Sequence, residues 1–154
     1  MAVEMTPHGT RGAKIPKPIQ TTMRVLNGVI ARGMRLFGMR VLELTTVGAK
    51  TGQSRTVTLS WFPDRDNAWL VVASFGGSAK HPAWYVNLAK NPDKVWINVD
   101  GRRVKVRPES LKGTERADAW GRITAVASNY ATYQSNTDRE IPVVRLTAVG
   151  DANP

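Results

Sequence analysis

The segment from Leu44 to Leu59, LTTVGAKTGQSRTVTL, constrains the fold of this chain more than any other. Two runs rich in threonine, valine and leucine, which suit pleated and half-buried backbone, flank a short turn containing Gly48 and Gly52. The pattern predicts a β-hairpin whose tip also carries Lys50 and Arg55. Backbone N–H groups and fixed positive charge at such a tip can hold a phosphate or a carboxylate, and an ordinary solvated turn is the alternative.

The composition limits the chemistry that the chain can perform. Its 154 residues suffice for one domain with a hydrophobic core. The absence of cysteine excludes disulfides and thiol nucleophiles, and two histidines are too few for a multi-histidine metal site, so we expect no metal. No apolar run approaches the roughly 18 residues of a membrane span, and no secretory signal is recognisable, so we expect a cytoplasmic protein.

The net charge of +10 is concentrated in two parts of the chain. Residues 1–40 carry seven cations and one acid, and residues 50–107 carry ten cations and four acids. Such an excess favours anionic membranes, nucleic acids or anionic small molecules as partners. We expect no nucleic acid, because the chain has no recognisable binding motif and its aromatic residues are not interleaved with its basic strand.

The first 38 residues are predicted to form a basic tail and an amphipathic helix, separate from a domain at residues 39–154. Three prolines within residues 1–18 favour a flexible or extended tail. From Ile19 to Phe37 the apolar residues recur every three or four positions, which is typical of an amphipathic helix. This helix could pack on its own domain, on a second copy in a homodimer, or peripherally on the inner face of the cell membrane.

The pattern after residue 40 predicts a mainly β domain. Six strands are expected, at residues 41–47, 56–62, 68–74, 94–99, 102–107 and 143–149. Two helices are expected, at residues 82–89 and 114–127. Residues 130–142 are predicted to be irregular, and Lys80 and His81 to be solvated, with ligand contact as the alternative for both. Short hairpins of this kind favour a small, partly open antiparallel barrel with flanking helices.

No catalytic motif is complete in this sequence. The string GAKTG lacks the glycine that a P-loop places directly before its lysine, because Ala49 stands there. An enzyme of this composition therefore depends on a bound cofactor for its chemistry. Three segments could hold one: the turn at 48–56, the Gly-rich loop at 74–80, and the N-terminus of the helix that begins PAWYVN.

Three stretches of the chain resemble the deazaflavin-dependent nitroreductase family, split-barrel oxidoreductases that use coenzyme F420. They are LTTVGAKTGQSRTVTL (44–59), VVASFGGSAKHPAWYVNLAKNP (71–92) and YATYQSNTDREIPVV (130–144), in the family's order and spacing. The resemblance implies a mainly β (α+β), FMN-binding-like split β-barrel and a reductase that passes a hydride from F420H2 to a quinone, nitroaromatic or activated enone. An FMN-binding protein of the same fold and a non-enzymatic, basic, membrane-associated module are the alternatives.

The resemblance also implies which residues form the site. The phosphate end of F420 would contact Ala49, Lys50, Thr51, Arg55 and Thr56. The deazaflavin ring would be lined by Val57, Thr58, Leu59, Ser60, Val72, Ala73, Ser74 and Phe75. The same pocket would be closed by Ala83, Trp84, Tyr85, Val86 and Asn87. The catalytic residues on the acceptor side would be Tyr130, Tyr133 and Ser74, with Tyr133 also touching the cofactor.

Two positions depart from the pattern of family members that reduce bulky nitroaromatics. Those members carry aromatic residues where this chain has Ser60 and Asn136. The difference argues for a more open or more polar acceptor side. The basic row of Arg103, Lys105 and Arg107 could meet the glutamate tail of F420, and solvated charge is the alternative that we favour for it.

Overall fold

The computed structural model describes residues 3–13 and 40–149. Seven strands form one antiparallel sheet in the described part of the chain, in the order β2-β1-β5-β6-β7-β4-β3. They are β1 (Val41–Val47), β2 (Ser54–Ser60), β3 (Phe62–Pro63), β4 (Ala68–Val72), β5 (Trp96–Val99), β6 (Arg102–Ser110) and β7 (Val143–Ala148). The first half of β6 pairs with β5 and its second half with β7, so this strand joins the two halves of a split barrel. The expected mainly β split barrel is confirmed.

Three helices and one short turn accompany the described sheet. They are α1 (Ala83–Lys90), α2 (Gly113–Val126), α3 (Asn129–Ser135) and a 3-10 turn (Phe75–Gly77). Trp84 and Leu88 of α1 enter the core inside the barrel, together with Leu42 and Leu44 of β1. On the other side of the sheet, α2 contributes Ile123 to a second core cluster.

Strand β4 lies between these two clusters, which explains why its sequence is apolar throughout. Trp69 and Val71 belong to the cluster inside the barrel, whereas Leu70 and Val72 belong to the cluster beneath α2. Because successive side chains of a strand point to opposite faces, a strand covered on both faces needs an apolar residue at every position. This strand carries Ser74 and the 3-10 turn at its end.

The structure shifts most of the predicted boundaries by one to three residues, for example where β6 continues to Ser110, and three differences affect the site. The strand predicted at 56–62 is two strands, because β2 covers 54–60 and Phe62–Pro63 pairs instead with β4, so the sheet has seven strands and not six. The strand predicted at 68–74 ends at Val72. The segment predicted to be irregular begins as α3, whose Tyr130 and Tyr133, three residues apart, pack on one face against the second cluster.

Residues 3–13 form a segment, here called the N-terminal strap, that lies on the barrel. Val3 is buried in the first core cluster. The Gly9 N–H donates to the Ala79 carbonyl at 2.7 Å, and the Ala13 N–H donates to the Gly77 carbonyl at 3.0 Å. The predicted amphipathic helix at 19–37 lies outside the described residues, and the division at residue 38 stays a prediction. None of the described helices is long and apolar enough to span a bilayer.

Candidate functional site

The β1–β2 turn is a tight loop tied to α1. The Gly48 N–H donates to the Gln53 carbonyl at 2.7 Å, and the Gly52 N–H donates to the Gly48 carbonyl at 2.9 Å. Gly52 has a φ of 71°, a left-handed conformation that favours glycine. The Asn87 side chain accepts a hydrogen bond from the Ala49 N–H at 3.0 Å. The hairpin predicted from the sequence is therefore confirmed, and α1 fixes its tip.

The two cations of this turn are available to a ligand. Lys50 and Arg55 are exposed, as are their neighbours Thr51 and Thr56. Within residues 3–13 and 40–149, neither Lys50 nor Arg55 forms an ion pair. Positive charge without an acidic partner, next to a loop of constrained backbone, is what a bound phosphate requires.

Strand β2 is an edge of the described sheet, and its side chains divide between two faces. Val57 and Leu59 are half-buried and pack against the cluster inside the barrel. Thr58 and Ser60 point to the opposite face, because side chains alternate along a strand. The predicted ring-lining segment thus offers hydroxyl groups on one face and aliphatic groups on the other.

The loop after β4 has a strained backbone. Phe75, Gly76 and Gly77 have φ angles of 44°, 63° and 81°, and positive values are uncommon for a residue with a bulky side chain such as phenylalanine. A Cβ atom on Gly77 would lie 2.6 Å from the Tyr133 carbonyl oxygen, so only glycine lets α3 pack this closely. Ser74 and Phe75 remain half-exposed beside this contact. Strain of this kind is often found where a backbone segment must hold a functional geometry.

Three aromatic rings form a row next to Ser60. The rings of Phe62 and Tyr130 meet edge to face at 5.7 Å, and those of Tyr130 and Tyr133 at 5.8 Å. Burial raises the pKa of Tyr130 above its usual 10.0, and the hydrogen bond with the Ser60 side chain opposes that rise. Tyr130 therefore keeps its hydroxyl proton at neutral pH.

A cavity of about 580 Å³ opens beside this row. Its floor includes Leu70 and Ile123, and its rim includes the exposed Val126 and the cations Arg40 and Arg122. The volume falls within the range of small-molecule pockets. Ser60 and Tyr130 are part of its lining, so the cavity is continuous with the predicted acceptor side.

Several predicted site residues are placed inside the core. The buried members of the predicted set are Val72, Ala73, Trp84, Tyr85 and Asn87. The Tyr85 hydroxyl donates to the Glu4 carbonyl at 3.2 Å, and the Ala73 N–H donates to the Pro142 carbonyl at 2.9 Å. The accessible members of the α1 set are Ala83, which is exposed, and Val86, which is half-exposed. Direct cofactor contact therefore stays a prediction for the buried residues, which form the wall behind the accessible ones.

His81 is buried, so the expectation that it is solvated is wrong; Lys80 is exposed as expected. The His81 Nε2–H donates to the Thr6 carbonyl at 2.6 Å. Burial lowers the pKa of His81, and the nearby Arg139 lowers it further, whereas the Thr6 hydrogen bond raises it. No local pattern in the sequence indicates that Thr6 and His8 of the strap contact His81.

The chain matches one known protein family over most of its length. The model of the F420H(2)-dependent quinone reductase family matches residues 17–148. The chain belongs to this family. An F420H(2)-dependent quinone reductase of Mycobacterium tuberculosis strain H37Rv is 46% identical over 109 residues, covering 69% of this chain and 72% of the relative.

Two solved structures are similar to this member of the F420H(2)-dependent quinone reductase family. One described as an F420-H2 dependent reductase, FDR-A, has a TM-score of 0.61 and 35% identity, covering 70% of this chain and 93% of its own. Another, described as a domain-swapped dimer, has a TM-score of 0.63 and 32% identity, covering 84% of this chain and 96% of its own. The resemblance to F420-dependent oxidoreductases is confirmed.

Two groups of described residues fit coenzyme F420 in this family member. The exposed cations of the β1–β2 turn suit its phosphate. On β6, Arg103 and Lys105 are exposed. The Arg103 Cζ and the Lys105 Nζ lie 5.5 Å and 5.8 Å from the centre of the Trp96 ring. In the same described ranges, no group of three histidine, aspartate or glutamate side chains could hold a metal ion.

Proposed function

We propose that this protein is an oxidoreductase that transfers a hydride from F420H2 to a quinone. The observation that carries the proposal is the convergence of the predicted segments around the edge strand β2. At one end of β2, Asn87 of α1 accepts a hydrogen bond from Ala49 of the β1–β2 turn. At the other end, Ser60, the last residue of β2, forms a hydrogen bond with Tyr130 of α3. The family match and the names of the relatives support the same cofactor and the same class of acceptor.

The β1–β2 turn is proposed as the seat of the cofactor phosphate. Arg55 can place two parallel N–H groups on phosphate oxygens, and Lys50 adds a point charge. Ala49 and Thr51 complete the loop, and the tether from Asn87 keeps the Ala49 backbone in place. A loop held before binding loses less conformational entropy when the ligand arrives.

The accessible residues just after β4 and at the start of α1 are proposed to contact the deazaflavin ring. They are Ser74, Phe75, Ala83 and Val86, together with the hydroxyl face of β2. When bound, reduced F420 supplies the hydride, and a proton from solvent completes the conversion of quinone to quinol. The chain's own contribution is to hold acceptor and donor in a fixed relative orientation.

The cavity beside Tyr130 is proposed as the acceptor site. A hydroxyl that stays protonated can donate a hydrogen bond to a quinone carbonyl oxygen, where negative charge develops as the hydride arrives. The apolar floor of Leu70 and Ile123 suits the hydrocarbon part of the acceptor. Tyr133 packs against Tyr130, and its backbone carbonyl lies against Gly77 of the 3-10 turn.

Calorimetric titration with F420 at low salt, followed by oxidation of F420H2 with a soluble naphthoquinone, tests the proposal. We expect binding and turnover, and FMN should not displace F420. Arg55→Ala should weaken F420 binding by roughly 1.5–3 kcal/mol, the usual worth of a hydrogen bond to a charged group. Arg65→Ala is the matched control, because Arg65 is also exposed and lies instead beside Asp64 and Glu109.

No F420 binding by the intact protein would refute the cofactor assignment, and binding without quinone turnover would refute the acceptor assignment. An affinity unchanged by Arg55→Ala would remove this residue from the phosphate site. A homodimer belongs to the proposal as well, supported by the structural relative described as a domain-swapped dimer. Sedimentation of the same preparation, with and without lipid vesicles, tests the dimer and the peripheral membrane contact, which are two of the alternatives for the N-terminal helix.

A further inference from the structure

Arg139 is a buried cation that no part of the proposed function has used. It is 3% exposed and lies between α3 and β7. Among the described residues it forms no ion pair, although burial of a charge without a counter-charge is costly. Its neighbour Asp138 points elsewhere, because that carboxylate accepts hydrogen bonds from the backbone N–H groups of Thr10 and Arg11.

The Arg139 guanidinium is satisfied by three backbone carbonyls of one loop. Nε donates to the Ser78 carbonyl at 2.7 Å, one terminal nitrogen donates to Ala73 at 3.0 Å, and the other donates to Ser74 at 2.6 Å. These carbonyls flank the strained 3-10 turn on both sides. Arginine matches this arrangement because its donors form a rigid planar fork, which a lysine ammonium cannot reproduce.

A fourth contact of Arg139 fixes the protonation of His81. The His81 Nδ1 lies 3.3 Å from a terminal nitrogen of Arg139, and Nε2 faces the Thr6 carbonyl. A carbonyl only accepts and a guanidinium only donates, so His81 is neutral with its proton on Nε2. His8 completes the arrangement from the strap by accepting the His81 backbone N–H at 3.0 Å.

We propose that Arg139 is a positioning residue for the active site: it holds the loop at 73–78 so that Ser74 and Phe75 face the cofactor and Gly77 receives α3. The inference rests on the proposed function for the identity of the site. Its physical basis is independent, since the same guanidinium binds both ends of the loop that carries these residues. Loss of this clamp releases the strained turn, and with it the contact that places Tyr133.

A pair of buried arginines allows a controlled test. Arg145 is 4% exposed, lies in the same barrel, and binds the side chains of Asp64, Glu109 and Glu115 instead of the loop. Arg139→Lys and Arg145→Lys therefore remove the same fork from two equally buried places. Both variants should be less stable than the parent protein, and only the first should disturb the loop.

The first readout is hydrogen–deuterium exchange of the protein without cofactor. Gly77 and Ser78 donate their N–H groups to the Ser74 and Phe75 carbonyls, and these amides should exchange about tenfold faster in Arg139→Lys. In Arg145→Lys they should keep the parent rate. Equal exchange in the two variants would overturn the proposal, whatever the protein binds.

The second readout is turnover of F420H2 with 2-methyl-1,4-naphthoquinone. Arg139→Lys should lower kcat about tenfold or more, because small displacements of positioning groups cost that much, while Arg145→Lys stays within about twofold. Parent-like kcat in Arg139→Lys would overturn the proposal. If the two variants differ in exchange as expected but the parent protein shows no turnover, the proposed function alone is refuted.

A second variant keeps the test open if Arg139→Lys does not fold. Thr137 accepts the Arg139 backbone N–H at 3.2 Å and donates its hydroxyl to the Arg11 carbonyl at 2.7 Å. Thr137→Val keeps the volume and removes both bonds. We expect faster exchange at Gly77 and a kcat about threefold lower, and unchanged values of both would overturn the proposal.

Discussion

Replacement of Asn87 by alanine should test whether α1 organises the phosphate turn from behind. The Asn87 side chain is 7% exposed, accepts the Ala49 N–H at 3.0 Å, and donates to the Thr46 hydroxyl at 3.2 Å. Each lost hydrogen bond is worth about 0.5–1.5 kcal/mol, so the pair contributes about 1–3 kcal/mol to the free energy of unfolding. The Thr46 hydroxyl belongs to a residue only 1% exposed, and loss of a hydrogen bond to a buried polar group favours the upper half of that range.

The same variant should weaken F420 binding although Asn87 is not exposed. With the Ala49 backbone released, the turn must be ordered by the ligand, and an ordering cost of about 1.4 kcal/mol corresponds to a tenfold weaker Kd. Urea unfolding and calorimetric titration measure the two effects separately. Asn91→Ala is the matched control, because Asn91 follows the last residue of α1 and its side chain donates, among the described residues, to the Val47 carbonyl alone, at 3.3 Å.

For the control we expect about 0.5–1.5 kcal/mol of lost stability and unchanged F420 affinity. The reasoning fails if Asn87→Ala loses stability but keeps the parent affinity, because the turn would then be organised without α1. It also fails if Asn91→Ala weakens binding equally, because any loosening of this helix would then have the same effect.

Two further predictions concern the acceptor cavity and the strap. Val126→Glu, at a residue 78% exposed on the cavity rim, should raise KM for quinones with an apolar side chain about threefold or more, because it places charge where hydrocarbon packs; Met5→Glu, away from that cavity, should leave steady-state kinetics unchanged. The pKa of His81 in the folded protein lies below its unfolded value of 6.5. The stability that neutral His81 contributes is therefore complete above pH 6.5 and is lost as the pH falls toward the folded pKa. Urea unfolding at several pH values below 7 should show a weaker pH dependence for His81→Gln than for the parent protein.

The elements with a strong local signal were predictable from the sequence. Strand β1 is found at its predicted residues, and the alternation of β6 correctly separates the buried Val104 and Val106 from exposed cations. The turn around Asp100 and Gly101 also forms as predicted, with positive φ at both residues. In each case the determining interactions lie within a few residues of one another.

The features that the sequence did not predict depend on residues far apart in the chain. Helix α3 was missed because its sequence is polar, and its packing depends on two tyrosines that contact distant residues of the second core cluster. Likewise, His81 is covered by Thr6, which is 75 residues away in the chain. The string DREIP was visible as part of a family resemblance, but nothing local indicated that Arg139 would bind carbonyls 61 to 66 residues before it.

Three arginines and three acids of this positively charged chain form one balanced cluster. Arg65, Arg122 and Arg145 surround the acids Asp64, Glu109 and Glu115, so that cluster is balanced three against three. Burial opposes ionisation of Asp64, but the hydrogen bond from Arg145 lowers the pKa of that carboxyl below its usual value, so Asp64 stays charged well below neutral pH.

Only Asp64 and Arg65 of residues 50–107 belong to this cluster, and their charges cancel, so the positive excess of that range lies outside the cluster. Lys50 and Arg55 lie at the β1–β2 turn there, and Arg103 and Lys105 lie on the exposed face of β6 where it pairs with β5. A phosphate at the turn would meet Lys50 and Arg55, and a chain of carboxylates that reaches β6 would meet Arg103 and Lys105, with Glu43 of β1 on the strands between them. Binding of F420 should therefore weaken with salt more steeply than binding of the same ring without its glutamates, since exposed charges are screened within about 8–10 Å at physiological ionic strength.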